Sequence, residues 1–265
     1  MNLALFFEGT GQGVAGKVTN VTRLHDLCRE DEGQHLHLES GPGTHVGAIL
    51  AGAIHGADWQ IVFRGARRWF EANYETLPPP THDGRRASLE TKVFLFGFSR
   101  GALIARHFAA WLDKLSIPVA YLGIWDTVDS TLGLDVPEVC PANVRVARHA
   151  VARDEMRRFF QVIPLHSGGP DTKVLEMVFP GVHSDVGGLY ADNHVIADVA
   201  LAWMAAGAVR AGLRLDRGVH LTQRFDWAAA SLHSSHSHIS NLFGAFAPVR
   251  RALAAMRAHP SCRQI

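Results

Sequence analysis

Apolar residues come in short blocks along this chain, and the spacing inside each block changes from one to the next. Residues 3–7 (LALFF) form a compact apolar run closed by Glu8-Gly9-Thr10-Gly11, the pattern of a buried strand ending in a turn. Residues 20–28 then carry apolar positions at helical spacing, with Thr19 or Asn20 as the cap. Residues 34–38 alternate polar with apolar, which predicts an edge strand with one wet face. After Gly41-Pro42-Gly43-Thr44, residues 45–77 read as largely helical, with Ile61, Ala66, Trp69 and Phe70 on the apolar face. The segment 78–90, PPPTHDGRRASLE, breaks that helix and predicts a flexible loop open to proteases. Further apolar runs at 93–98, 119–125, 174–179 and, more weakly, 218–222 are separated by helical stretches at 100–113, 144–160 and 195–213. Such strand–helix alternation implies an α/β fold with a mostly parallel sheet and helices on both faces. Reactive groups in sheets of this kind gather beyond the carboxyl ends of the strands.

Composition narrows the class. At 265 residues and 47% hydrophobic content the chain can bury the core of one large domain, and the pattern leaves the packing of a tail over about 216–265 undecided. A net charge of +1 without a dense Lys/Arg block argues against nucleic acid as a partner and makes any peripheral membrane contact mainly apolar. Cys28, Cys140 and Cys262 are odd in number and lack C-x-x-C spacing, so neither a disulfide framework nor a zinc site is expected, and a reducing cytosol suits the chain. The first residues are apolar but have no basic start and are interrupted by Glu8, so no signal peptide is expected. No apolar run is long enough to span a bilayer.

The chemistry is concentrated in KVFLFGFSRGALIAR, residues 92–106, where an apolar run leads into Gly97-Phe98-Ser99-Arg100-Gly101 and then into a helical pattern. A G-x-S-x-G motif between a strand and a helix is the setting of a nucleophile elbow, in which a tight turn lifts the serine hydroxyl above the sheet. Five residues alone would say little in a chain with 25 Gly; the flanking strand and helix supply the specificity. A serine hydroxyl is a weak nucleophile at neutral pH, so it needs a base, and the base needs an acid to fix its tautomer. The run 119–125 ends in Asp126 and the run 174–179 leads to His183, and the order Ser99, Asp126, His183 is the one expected of an α/β-hydrolase. Asp185 paired with His194, His220, His233, His236 or His238 satisfies the same order, and Asp126 could instead cap the turn after its strand. An oxyanion needs two preorganised donors: the N–H of Arg100, directly after the serine, and a second from the first-strand loop, at Gly9 or Thr10. Asp185 is also a candidate supporting residue near His183.

Two other patterns compete for a role. Residues 11–17 followed by Val18 approach the G-x-x-x-x-G-K-[ST] phosphate loop, but Val18 lacks the hydroxyl that holds magnesium, which makes a nucleotide-binding protein the weaker alternative. The histidines at 233, 236 and 238 lack Cys or carboxylate partners at ligand spacing, so no metal and no other cofactor is expected.

Several blocks together carry a resemblance: Phe6-Phe7-Glu8-Gly9-Thr10, Thr19-Asn20-Val21, Gly41-Pro42-Gly43-Thr44, GFSRGALIAR, Gly123-Ile124-Trp125-Asp126-Thr127-Val128, residues 149–157, FPGVHSDVGGLY and Ala200-Leu201-Ala202-Trp203-Met204. In this order, from about residue 5 to about 215, they resemble the uncharacterised α/β-hydrolase domain family that includes the first class of type VI secretion lipase effectors. Glu8 stands where that family usually has Asp, and Leu189 where a third glycine is common. The resemblance implies a serine esterase acting on phospholipids, with Ser99 as nucleophile, Asp126 as acid and His183 as base. It further implies synthesis in the cytosol, delivery without a signal peptide to a neighbour's periplasm, a spike-type carrier and an immunity protein. An intracellular esterase acting on a soluble ester is the alternative that near-neutral charge fits equally well.

Overall fold

The computed structural model describes residues 1–10, 18–42, 59–75, 91–128, 137–219, 225–226, 229–234, 251, 253 and 256–258. Among these the strands are β1 (Asn2–Phe7), β2 (Gln34–Glu39), β3 (Lys92–Phe98), β4 (Val119–Trp125), β5 (Val139–Cys140), β6 (Val146–Ala152), β7 (His166–Ser167), β8 (Lys173–Phe179) and β9 (Arg257–Ala258). The helices are α1 (Asn20–Leu27), α2 (Trp59–Glu75), α3 (Arg100–Lys114), α4 (His183–Gly187) and α5 (Val195–Ala211). Seven strands pair in the order β2-β1-β3-β4-β6-β8-β9, every pairing parallel, so their carboxyl ends lie along one rim. The short β5 and β7 form a separate pair.

The continuous apolar runs of β1, β3 and β4 are explained by burial on both faces, because successive side chains in a strand point to opposite sides. Ala4, Phe6, Phe94, Phe96, Phe98, Tyr121 and Trp125 form one core with Val21 and Leu24 of α1 and Val199, Ala200 and Met204 of α5. Leu3, Leu5, Phe7, Val93, Leu95, Leu122 and Ile124 form the other with Val62, Ala66 and Phe70 of α2 and Ile104, Phe108 and Leu112 of α3. Thr19 caps α1 as expected, its side chain accepting from the N–H groups of Val21 and Thr22.

Two expected elements differ. The helix expected over 144–160 is instead strand β6, held between β4 and β8, followed by a single 3₁₀ turn at Arg158–Phe160. Three alanines and an arginine give VARHAVA good helix propensity, but pairing on both sides overrides propensity. Alternation then becomes visible: Ala150 and Ala152 face the α5 side, where Arg148 lies 4.6 Å over the Trp203 ring, while Ala147 faces the α3 side. No strand begins at Gly218, which lies in a turn with φ 96°, and residues 220–222 lie outside the described residues. The loop at 78–90 and the phosphate-loop pattern at 11–17 also lie outside them. The tail contributes β9, which pairs with Met177 and Val178 of β8 and extends the main sheet. No helix among the described residues is long and apolar enough to cross a membrane.

Candidate active site

The ladder of β3 runs one bond past the strand, with the Ser99 N–H donating to Trp125 O at 3.0 Å, and the chain then turns abruptly into α3. Ser99 adopts φ 57° and ψ −123°, a conformation that costs a residue bearing a Cβ about 1–3 kcal/mol. It occupies the N-cap position of α3, yet its side chain makes no capping hydrogen bond. An ordinary N-cap serine turns its hydroxyl back onto the first helical N–H groups; here that bond is absent and the backbone is strained.

Close backbone approach explains the flanking glycines. A Cβ on Gly97 would stand 2.4 Å from Gly101 O, and one on Gly101 would stand 2.2 Å from Phe7 O and 2.4 Å from Glu8 O. Gly101→Ala is therefore expected to lower stability by about 1–3 kcal/mol through overpacking, exceeding the roughly 1 kcal/mol that alanine's helix propensity would return. Thermal unfolding checks this; an unchanged melting temperature would mean that the first-strand loop yields freely.

Beside the elbow, β4 ends in Asp126, which holds φ 40° and donates its N–H to Ala150 O at 2.7 Å. Its Oδ1 accepts from the Ala152 N–H at 2.9 Å, and its Oδ2 lies 2.6 Å from His183 Nδ1. His183 opens α4 just past β8, so the pair bridges the end of β6, which lies between β4 and β8. Phe98 stacks on the His183 ring at 4.5 Å, and Phe160 meets it edge-on at 5.0 Å. The residue preceding the serine thus helps to fix the histidine ring. The buried Glu155 carboxylate accepts from the His183 N–H at 3.3 Å and is itself held by Arg157.

The electrostatics follow from these contacts. Burial pushes the Asp126 carboxyl up, but the Arg251 guanidinium and the His183 hydrogen bond overcome this and hold it well below the usual carboxylate range. Burial pushes His183 down from 6.5; the Asp126 hydrogen bond and charge oppose that shift, while Arg251 and Arg157 add to it. The result is a neutral imidazole beside a carboxylate anion. His149, on β6, is buried and also held neutral: its Nδ1 is 2.8 Å from Glu176 Oε1, and its Nε2 accepts from the Thr127 N–H at 3.1 Å. That contact pins the backbone directly after Asp126.

The family model described as type VI secretion system phospholipase effector Tle1-like, catalytic domain, matches residues 1–117 and 108–207. This chain belongs to that family. Among solved structures, an uncharacterised protein from Pseudomonas aeruginosa is 22% identical over 82% of this chain and 47% of its own, with a TM-score of 0.59, a likeness of fold. A Tle1 effector solved bound to the VgrG spike is 21% identical over 71% of this chain and 51% of its own, with a TM-score of 0.47. This Tle1-like chain therefore spans about half the length of those two proteins. No curated protein matches it.

In this Tle1-like domain the first-strand loop lies beside the elbow: a Cβ on Gly9 would stand 3.3 Å from that of Ser99. The Gly9 N–H points to Glu8 Oε2 at 3.3 Å, and Arg100 Nε donates to the Thr10 hydroxyl. The N–H groups of a helix's first turn face out of its N-terminal end, and Arg100 opens α3. Glu8 is buried and accepts from Thr19 Oγ1 at 2.8 Å and from the Thr22 N–H at 3.1 Å, tying the loop to the cap of α1. Burial nevertheless keeps its carboxyl above the ordinary value.

The Asp185 carboxylate bonds the Val182 N–H and His233. Its Oδ2 accepts from the Val182 N–H at 2.9 Å, and its Oδ1 is 2.5 Å from His233 Nδ1, so the alternative pairing of Asp185 with His233 does form. The other nitrogen of His233 faces Asp192 at 3.1 Å. Burial pushes this imidazole down, but hydrogen bonds to Asp185 and Asp192 prevail and raise its pKa. A ring held between two carboxylates is a poor acceptor for a serine proton. Among the described residues no group of three or more His, Cys, Asp or Glu side chains is arranged to hold a metal ion.

Sequence reasoning assigned no part to Arg251, Glu155, His149, Glu176 or the Phe98 and Phe160 rings. Phe98 lies inside the serine motif, and His149 and Glu155 lie within a block that carries the family resemblance, so a signal for these existed. Arg251 lies in a tail with no motif and beyond the family match.

Proposed function

We propose that this domain is a serine hydrolase that cleaves carboxylic ester bonds of membrane phospholipids through Ser99, His183 and Asp126. The observation that carries the proposal is the 2.6 Å contact of His183 with Asp126 along the rim where the strained Ser99 elbow also lies. Ser99 Oγ attacks the acyl carbonyl while His183 Nε2 takes its proton; Asp126 holds the Nδ1–H and stabilises the imidazolium that forms. The N–H of Arg100 receives the oxyanion together with that of Thr10, since the Gly9 N–H is engaged by Glu8. His183 then protonates the departing alcohol, leaving an acyl-enzyme that water hydrolyses to a free fatty acid. The neutral state of His183 supports its part as base.

Membership in the Tle1-like family supports phospholipid as the substrate, and it extends the proposal to delivery into a neighbouring cell on a secretion spike and to protection of the producer by an immunity protein. The test is fatty-acid release, by mass spectrometry, from vesicles of phosphatidylethanolamine and phosphatidylglycerol, alongside hydrolysis of p-nitrophenyl butyrate. Release from vesicles is expected. Hydrolysis of the short ester with vesicles left intact would overturn the phospholipid assignment and favour a soluble ester. Neither activity, with no fluorophosphonate adduct on Ser99, would overturn the hydrolase itself.

A further inference from the structure

Asp126 has a second side-chain partner besides the histidine facing it, and this one is a cation. Arg251, in the tail between α5 and β9, reaches the carboxylate with both terminal nitrogens: Nη1 donates to Oδ1 at 2.5 Å and Nη2 to Oδ2 at 2.9 Å, both side chains fully buried. The same nitrogens donate to Ala152 O, at 2.9 Å from Nη1, and to Phe160 O. Each terminal nitrogen thus serves one carboxylate oxygen and one main-chain carbonyl, a planar fork that fixes the carboxylate in rotation as well as in place. The two carbonyls belong to the end of β6 and to the turn whose Phe160 ring meets His183. One side chain therefore joins the acid, the strand between acid and base, and the wall of the base.

We infer that Arg251 is a positioning residue for the hydrolytic site, setting the orientation of Asp126 and, through it, the basicity of His183. The inference rests on the Ser99–His183–Asp126 reading above. An aspartate bonded only to the histidine and to the Ala152 N–H could rotate about its side-chain torsions; the fork removes that freedom. The guanidinium charge also offsets part of the carboxylate's stabilisation of the imidazolium, which keeps the base neutral at lower pH. Among the described residues, the charged or titratable groups facing His183 and Asp126 are Arg251 from the tail, Arg157 and Glu155 from the loop after β6, and His149 on β6. Of these only Arg251 bonds both carboxylate oxygens.

The experiment compares wild type, R251M and R251K by kcat and KM on p-nitrophenyl butyrate, by the pH profile of kcat/KM, and by ¹⁵N NMR titration of His183 in the whole chain. A base must be neutral to accept a proton, so activity falls as pH drops through the His183 pKa, and the wild-type acid limb is expected below 6.5. R251M removes a positive charge and both fork bonds. Its kcat is expected to fall roughly ten- to a hundredfold with KM little changed, and both the limb and the His183 titration to move up by about one pH unit. R251K keeps the charge without the fork, so a limb near the wild-type position with a kcat about tenfold lower is expected. A folded R251M with wild-type kcat and wild-type His183 titration overturns the inference. If R251M does not fold, wild-type kcat in R251K overturns it. The NMR titration needs no turnover: a shift in R251M beside undiminished activity of S99A would reject the triad reading and leave the positioning intact.

Discussion

Ser99→Ala is expected to lower kcat/KM for ester hydrolysis on the order of 10⁴- to 10⁶-fold, with the fold retained. The loss is large because the hydroxyl is the proposed attacking group, and neither the oxyanion donors nor the His183–Asp126 pair can replace it. The fold should survive because that hydroxyl caps nothing: α3 starts without a side-chain bond from Ser99. Alanine inherits the positive φ and its strain, whereas glycine adopts φ 57° without a Cβ clash. Ser99→Gly is therefore expected to be as inactive as Ser99→Ala and to melt at least as high. Fluorophosphonate labelling, ester turnover and thermal unfolding of the two variants check this together. Substantial turnover by Ser99→Ala would remove the serine from the mechanism.

Asp126→Ala is expected to fail in a different way, losing about 3–5 kcal/mol of stability as well as activity. Its carboxylate bonds the buried Arg251 fork, His183 Nδ1 and the Ala152 N–H, so truncation strands a buried guanidinium. The remedy separates the two losses. In Asp126→Ala/Arg251→Met no unpaired charge remains, and much of the stability is expected to return while activity does not. Equilibrium urea unfolding of the two single variants and the double variant measures the coupling. Additive losses would mean that the pair contributes little to the fold. Because the folded-state pKa of Asp126 lies below its ordinary 3.8, its contribution is complete above that pH and is lost as pH falls through the depressed value.

Much of the candidate site was legible because its parts sit in short, locally encoded turns. Ser99 is announced by a strand, two glycines at fixed spacing and a helix, and the structure explains each glycine by a backbone approach that a side chain would block. Asp126 and His183 each follow an apolar run, and both runs are strands whose carboxyl ends share a rim. Other relations were legible only in part. Chain order allowed Asp126 with His183 and Asp185 with His233 equally, the family resemblance favoured the first, and both pairs form. The surroundings distinguish them: His183 is buried against Phe98 with one carboxylate, while His233 lies between two. VARHAVA was read as helix because its pairing partners on β4 and β8 lie more than twenty residues away on either side.

The elements that depend on near neighbours in the chain were determined by the sequence alone: apolar runs, caps, the serine turn, the α/β alternation and the blocks that mark the family. Such signals act within a few residues, where backbone sterics and side-chain period are decisive. Tertiary structure alone decided that Asp185 faces His233 beside the Asp126–His183 pair, that β6 is a strand, and that a tail arginine reaches Asp126. Each of these depends on segments far apart in sequence, through backbone hydrogen-bond pairing for β6 and through desolvation and charge pairing for the side chains. Asp126 and Arg251 are 125 residues apart, and no local pattern in either segment encodes their pairing.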